Sequence, residues 1–203
     1  MTAILPIGHN VHTPDEPLVR DTITMLSDTH PHDLWVFGYG SLMWRPGFDH
    51  VERIVATLHG FHRALCVYSH VHRGTPDNPG LVLGLDRGGS CRGIAFRVRH
   101  TDTEKTIDYL RAREQVTMVY RETRHTLRLI DGRTVSGIAF TIDRTHRQYA
   151  PKLDFDELLR LIRQGVGVSG ANPDYVTATH AHLVSLGLHD RTLSRLSRAL
   201  ENV

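Results

Sequence analysis

The sequence has few cysteines and lacks any long apolar run. Only two of its 203 residues are cysteine, Cys66 and Cys91, and they form no CxxC pair. Two such cysteines cannot build a disulfide framework, so we predict a reducing compartment, the cytoplasm, and two small core residues. No window reaches the roughly 20 apolar residues of a membrane span. The first residues also lack the basic and apolar segments of a signal peptide, so we expect no membrane association.

Neither sign of charge is in large excess. Lys and Arg total 24 against 22 Asp and Glu, which gives a formal net charge of +2. That balance argues against nucleic acid as a partner, because nucleic-acid-binding proteins usually carry a marked basic excess. The length and the 40% hydrophobic content are typical of one globular domain. We assign 1–30 to an N-terminal tail with a short helix opened by Thr13-Pro14-Asp15-Glu16, and 31–203 to a single domain.

Apolar runs separated by glycine-rich turns predict that the first two thirds of the chain is mainly β. The predicted strands are 34–38, 51–58, 61–69, 81–85, 91–98, 118–130 and 134–142. Gly88-Gly89 and Asp131-Gly132 are typical of hairpin turns. Thr101-Asp102-Thr103-Glu104 resembles a capping box, which predicts one helix inserted between the fifth and sixth strands.

The last third of the chain is predicted to be helical. One helix covers 155–164 and ends at Gly165, a second is capped by Asn172 and ends at Gly187, and a third begins at Asp190. The segment 165–170 is interpreted as a flexible linker. Strands followed by helices, without βαβ alternation, predict an α+β fold. Short strands with glycine-rich turns favour a strongly curved or closed sheet.

One stretch combines an apolar strand with a glycine-rich exit. Trp35-Val36-Phe37 is followed by Gly38-Tyr39-Gly40-Ser41, which a strand interior would not contain. The two glycines allow a sharp turn and a close approach of a ligand to main-chain N–H groups. The stretch lacks the third glycine of a dinucleotide fingerprint and the Lys of a phosphate loop. A tight strand exit without a ligand is the alternative.

Glu114 is the carboxylate with the most unusual predicted position. It shares one helix face with Ile107 and Leu110, while the polar residues of that helix lie elsewhere. Carboxylates are rarely buried unless they are paired or used in catalysis, and burial would raise the pKa toward that of a general acid or base. The alternatives are a structural ion pair with Arg113 or Arg121, or an exposed helix end.

Other candidate sites are weaker. His70 and His72 could share a strand face, but the remaining ligands of a metal site are missing nearby, so no metal is predicted. Ser41 lacks the Gly-x-Ser-x-Gly context of a nucleophile elbow.

Together these segments resemble the ChaC-like γ-glutamylcyclotransferases. The resemblance is carried, in order, by Phe37 to Trp44, by Arg113-Glu114 with Tyr120-Arg121, by Gly167 to Asn172 with Tyr175, and by Leu186-Gly187-Leu188-His189-Asp190. Ser69 to Gly74 and Pro79 to Asp86 are similar to the bacterial branch. The whole resemblance covers about residues 34–198. One departure is the segment from Glu114 to Tyr120, which is longer than in animal members and has no glycines.

The resemblance implies a curved or closed mixed β-barrel with one inserted catalytic helix and C-terminal helices packed around it. It implies an enzyme that converts the small molecule glutathione into 5-oxoproline and cysteinylglycine without a cofactor, and a monomer or weak homodimer. Glu114 is the expected catalytic residue. The expected substrate-binding residues are Val36, Phe37, Gly38, Tyr39, Gly40, Ser41, Leu42 and Tyr120.

The expected mechanism follows from the substrate. The α-amine of the γ-glutamyl unit attacks its own γ-carbonyl, so the enzyme needs a proton acceptor and donor rather than a nucleophile. Glu114 is the candidate for both tasks, and the turn after the first strand would hold the substrate and the oxyanion with N–H groups. Two alternatives are cyclotransfer on other γ-glutamyl compounds and a non-catalytic γ-glutamyl-binding regulator of cation transport.

Overall fold

The computed structural model describes residues 32–115 and 117–201. The predicted N-terminal helix lies outside these residues, so the division at residue 30 stays a prediction. The described elements are, in chain order, β1 (Leu34–Gly38), β2 (Glu52–Ser69), β3 (Gly80–Val98), α1 (Thr103–Glu114), β4 (Tyr120–Leu129), β5 (Thr134–Ile142), α2 (Phe155–Gln164), β6 (Val166–Gly167), β7 (Gly170–Ala171), α3 (Asn172–Ser185) and α4 (Arg191–Glu201). Two 3-10 turns, Ser41–Met43 and His100–Asp102, precede β2 and α1. No helix of the described ranges is long and apolar enough to cross a membrane.

The five long strands close into a barrel in the order β1-β3-β2-β4-β5. All neighbours are antiparallel except β1 and β5, which pair in parallel through Trp35–Gly137 and Val36–Ile138. The sheet is therefore mixed, and the α+β prediction with one inserted helix and C-terminal helices is confirmed. The hairpin at Asp131-Gly132 is also confirmed, since Gly132 takes a positive φ of 93° between β4 and β5.

The predicted hairpin at Gly88-Gly89 is wrong. β3 runs without interruption from Gly80 to Val98 and pairs with a single long β2, where two strands had been predicted in each case. The register shifts between His59 and Phe61, so that Gly60 lies opposite Gly88 and Gly89. All three glycines have positive φ, and they form a β-bulge that bends both strands without ending them.

Helix α1 carries an apolar face into the barrel wall. Leu110 is fully buried in a cluster with Val36, Val98 and Phe140, and Ile107 packs at its edge. The predicted capping box is wrong, because Asp102 occupies the N-cap position without a side-chain hydrogen bond.

Helices α2, α3 and α4 pack against the barrel in the main core cluster. Leu161 of α2, Leu183 of α3 and Leu196 of α4 are buried there with residues of β1, β2 and β3. The predicted ends of α2 at Gly165 and of α3 at Gly187 are confirmed, as is the start of α4 at Asp190. Asp190 accepts a hydrogen bond from the N–H of Leu193.

The linker prediction for 165–170 is wrong. This segment forms the β6–β7 ladder, and the N–H groups of Val168 and Ser169 donate to the carbonyls of Val71 and His72. It is thereby fixed on the loop between β2 and β3. That docking brings α3 next to β3.

Candidate active site

The turn after β1, residues 38–44, folds back tightly on the strand. A Cβ atom on Gly38 would lie 3.1 Å from the Cβ of Leu42, so a side chain at this position would force the turn or Leu42 to shift slightly. Gly40 is different: its φ is −130°, and a Cβ there would meet only Leu83, at 3.8 Å. The space beside the Cα of Gly40 is therefore open.

The turn presents main-chain donors. Gly40 accepts a hydrogen bond from Met43, which starts the 3-10 turn. Within the described part of the chain, the N–H groups of Gly40, Ser41 and Leu42 have no hydrogen-bonded acceptor. These groups can bind an anion or a developing oxyanion. Val36 and Phe37 are fully buried and paired within the barrel, so we expect them to support the turn from below.

Arg113 joins the end of α1 to this turn. Its Nη2 donates to Ser41 Oγ at 2.9 Å, and its Nη1 donates to the carbonyl of Arg45 at 2.7 Å and to the hydroxyl of Tyr109 at 3.0 Å. Its Nε lies 3.1 Å from Glu114 Oε1. One guanidinium therefore fixes the turn and the carboxylate in a common frame.

Glu114 lies at the last position of α1, with 18% of its side chain exposed. Burial raises the pKa of Glu114, and the charge of Arg113 and its hydrogen bond oppose that rise. Burial has the larger effect, so the carboxylate binds a proton more readily than in water. The structural ion pair with Arg113 considered above is present, whereas Arg121 pairs instead with Asp143.

Side chains replace a missing neighbour strand along the first part of β3. Tyr120 donates its hydroxyl to the carbonyl of Leu83 at 2.8 Å, and the N–H of Leu83 donates to the hydroxyl of Tyr175 at 3.1 Å. Asn172 bonds both the N–H and the carbonyl of Leu81. The prediction that Asn172 caps α3 is therefore wrong: Ala171 holds the N-cap position, and the amide of Asn172 is used by β3.

Three buried tyrosines, here called the tyrosine cluster, lie close enough to Glu114 for its charge to act on their hydroxyls. Burial is the main cause that raises the pKa values of Tyr39, Tyr120 and Tyr175, the last to about 12, and the charge of Glu114 raises all three further. The hydroxyls therefore stay protonated at neutral pH. Tyr39, Glu114 and Tyr120 thus lie near one another, and their roles in catalysis and substrate binding stay predictions.

Arg73 and Tyr175 were not among the predicted site residues. The guanidinium of Arg73 lies over the ring of Tyr175, 5.4 Å from its centroid, and donates to the carbonyl of Ala171. Arg73 thereby brings a positive charge next to Tyr175. The sequence contained one signal, since both residues lie in segments that carry the family resemblance.

Three further features do not belong to this cluster. Among the described residues, no three His, Cys, Asp or Glu side chains are grouped as a metal site, and His72 bonds Ser169 instead. A cavity of about 440 Å³ adjoins the cluster through Leu83 and Cys66. Four of the charged residues that line it form ion pairs, Arg63 with Asp190 and Arg144 with Asp86. Both cysteines are buried free thiols, and burial raises the pKa of Cys66 to about 12, so neither is a reactive nucleophile.

Known proteins are similar to this chain in sequence and in fold. Residues 34–203 match the ChaC-like protein family. The chain is 37% identical over 163 residues to the glutathione-specific gamma-glutamylcyclotransferase of Escherichia coli (strain K12), covering 80% of this chain and 71% of that protein. It is 27% identical over 181 residues to gamma-glutamylcyclotransferase 2-3 of Arabidopsis thaliana, covering 84% and 89%. The crystal structure of a yeast gamma-glutamylcyclotransferase specific to glutathione superimposes with a TM-score of 0.75 at 21% identity, over 84% of this chain and 96% of that one. This likeness confirms the predicted fold.

Proposed function

Since the chain belongs to the ChaC-like protein family, we propose that it is a glutathione-specific γ-glutamylcyclotransferase that releases 5-oxoproline and cysteinylglycine without a cofactor. The observation that carries this proposal is the position of Glu114. A half-buried carboxylate with a raised pKa lies at the end of α1, and Arg113 links it to a turn with free main-chain donors.

The reaction forms one bond and breaks one bond. The α-amine of the γ-glutamyl unit attacks the γ-carbonyl carbon, and a five-membered lactam forms. The C–N bond to the cysteinyl nitrogen breaks, and that nitrogen leaves as the amine of cysteinylglycine. The α-ammonium loses two protons, one before its nitrogen attacks and one after the new C–N bond has formed. The leaving nitrogen takes up one proton as it departs and a second when the released amine becomes an ammonium, so no net proton is gained or lost. A single group that accepts and then returns a proton can serve the transfer to the leaving nitrogen.

Glu114 is the proposed general base and acid. Its raised pKa brings its proton affinity closer to that of the groups it serves near neutral pH. Arg113 keeps the carboxylate oriented, and its charge and hydrogen bond limit the rise in the pKa of Glu114. The balance between burial and one cation therefore suits a residue that exchanges protons in both directions.

The turn and the tyrosine cluster are the proposed substrate site. The N–H groups from Gly40 to Leu42 would hold the glutamyl carboxylate and the oxyanion on the γ-carbonyl, with the side chains of Tyr39 and Tyr120 as walls. Arg73 carries the positive charge that suits a second substrate carboxylate. The hydroxyl of Tyr120 already donates to Leu83, so we assign Tyr120 a role in shape rather than in proton transfer.

A non-catalytic γ-glutamyl-binding protein is the alternative from another class. The buried carboxylate of Glu114 argues against it, because binding an anionic ligand gains nothing from a further buried negative charge. Cyclotransfer on other γ-glutamyl amines or amino acids uses the same chemistry. The charge of Arg73 favours a substrate that carries a carboxylate beyond the γ-glutamyl unit, as glutathione does.

The test is incubation of the purified full-length protein with glutathione, following 5-oxoproline and cysteinylglycine. Equal amounts of both products are expected, with no added cofactor. γ-Glutamyl amino acids serve as comparison substrates, and Glu114→Gln is the matched inactive control. Binding of glutathione without either product would support the non-catalytic alternative and contradict our proposal.

We also propose that the protein acts in the cytoplasm as a monomer or weak homodimer. Two buried free thiols, Cys66 and Cys91, are compatible with a reducing compartment. Light scattering over a range of concentrations tests the oligomeric state, and a stable tetramer would contradict the proposed monomer or weak homodimer.

A further inference from the structure

A second buried arginine holds the turn from another direction. Arg63 lies on β2 with only 6% of its side chain exposed. Its Nε donates to the carbonyl of Tyr39 at 2.6 Å, and its Nη2 donates to the carbonyl of Arg92 at 2.8 Å. Its Nη1 lies 3.5 Å from Asp190, the residue that caps α4. The guanidinium thus joins the turn to β3 and to the C-terminal helix.

The bond to Tyr39 fixes more than one carbonyl. A trans peptide is planar, and its C=O and N–H groups point in opposite directions. The carbonyl of Tyr39 belongs to the same peptide as the N–H of Gly40. Because Arg63 holds that carbonyl, the N–H of Gly40 points away from Arg63, and it has no acceptor within the described residues.

The same bond changes the strength of this donor. A hydrogen bond from a charged group is stronger than a neutral one. Hydrogen bonds in a chain polarise one another, so a cation on the carbonyl increases the positive charge on the amide hydrogen of the same peptide. The N–H of Gly40 therefore becomes both fixed in direction and a better donor to a negative oxygen.

We propose that Arg63 is a positioning residue, which orients and polarises the N–H of Gly40 as a donor to the oxyanion that forms on the γ-carbonyl. This inference rests on the proposed function. Asp190 holds Arg63 in place and balances its charge. A purely structural Arg63 would instead stabilise the fold without affecting the reaction in the folded protein.

The test uses Arg63→Gln, with Arg53→Gln as the matched control. Arg53 lies on the same strand and donates to the carbonyl of Met43, at the far end of the same turn. Removal of a whole oxyanion donor costs about 10²–10³ in kcat. Arg63→Gln weakens the donor rather than removing it, so it should lower kcat about 10- to 100-fold. KM should be nearly unchanged, because the interaction acts mainly in the transition state. Arg53→Gln should stay close to the wild-type rate.

Two further measurements separate positioning from structure. The ¹⁵N-edited NMR signal of the Gly40 amide should move to lower proton frequency in Arg63→Gln and not in Arg53→Gln. Arg63 also lines the cavity described above, so guanidinium at low millimolar concentration should restore part of kcat to Arg63→Ala. If Arg63→Gln does not fold, Arg63→Lys retains the buried charge but not the planar fork, and an intermediate kcat is expected.

If folded Arg63→Gln keeps the wild-type kcat, whether or not its melting temperature falls, the inference is overturned. An unchanged Gly40 amide signal would do so as well. That signal is measured without substrate, so it tests the orientation and polarisation of the amide even if the wild-type protein does not turn over glutathione. Such inactivity would contradict the proposed function instead.

Discussion

Replacement of Glu114 by Gln removes the proposed proton acceptor and keeps the size of the side chain. If Glu114 is the general base and acid, kcat should fall by about 10²–10⁴, as is typical for the loss of acid–base catalysis. Binding of glutathione should be retained or improved, because the site loses a negative charge next to an anionic substrate.

The expected effect on stability follows from the raised pKa. Burial outweighs the attraction of Arg113, so the pKa of Glu114 is higher in the folded protein than in the unfolded chain. Each unit by which the pKa is raised corresponds to about 1.4 kcal/mol that the charged carboxylate costs the fold. This cost is absent below the ordinary pKa of a glutamate, and it appears as the pH rises through the raised value. A neutral Gln escapes it, so Glu114→Gln should be at least as stable as wild type at pH 8, and the two should converge near pH 4.

The assay combines product release with thermal unfolding. Release of 5-oxoproline is followed at saturating glutathione, and melting temperatures are measured at several pH values. Glu104→Gln is the control, since this substitution makes the same chemical change at an exposed residue in the first turn of α1. It should leave kcat unchanged.

Two results would refute this reasoning. A folded Glu114→Gln protein with a rate near wild type would exclude Glu114 as the base. A melting temperature that falls in Glu114→Gln while the folded fraction keeps its rate would show that the ion pair with Arg113 is mainly structural, since breaking a buried pair costs about 3–5 kcal/mol.

Three further predictions concern the turn, Arg113 and metals. Gly40→Ala should fold, because its Cβ meets only Leu83, yet it should raise KM for glutathione by up to about 10²-fold. Gly38→Ala, which is crowded by Leu42, should lower the melting temperature instead. Normal affinity for glutathione in Gly40→Ala would contradict a ligand at this turn. Arg113→Met removes the charge that lowers the pKa of Glu114, so the acidic limb of the profile of kcat/KM against pH should move to higher pH; a limb that does not move would show that Arg113 leaves this pKa unaffected. EDTA should leave kcat unchanged, because the described residues group no set of metal ligands; activity lost in EDTA and restored by one divalent metal would overturn this.

Local patterns predicted the elements whose signals are local. The exit from β1, the helix that carries Glu114 and the ends of α2 and α3 follow from glycines and apolar spacing close to them in sequence. The bulge at Gly60 and Gly88-Gly89 could not be separated from a hairpin, because a glycine pair suits both. The difference lies in β2, which pairs on both sides of the bulge.

The parts of the site that were missed depend on tertiary contacts. Asn172 followed by proline has the pattern of a helix cap, but its amide is used by the edge of β3. Arg63 and Arg73 are arginines on or near strands, which by themselves suggest only an exposed surface. Their roles become visible when β1 and α3 are brought next to them.

The contacts of Arg63 and Asn172 have a consequence for protein synthesis. All barrel strands precede residue 143 and leave the ribosome first, since domains fold from the N-terminus during translation. Tyr120 can bond the carbonyl of Leu83 early, but the remaining partners of the β3 edge arrive only when Asn172 and Tyr175 emerge. Arg63 gains Asp190 later still. A nascent chain that ends before Asn172 would therefore expose an unpaired strand edge, the usual site of aggregation. The chain would become active only after the ribosome has translated its final helices.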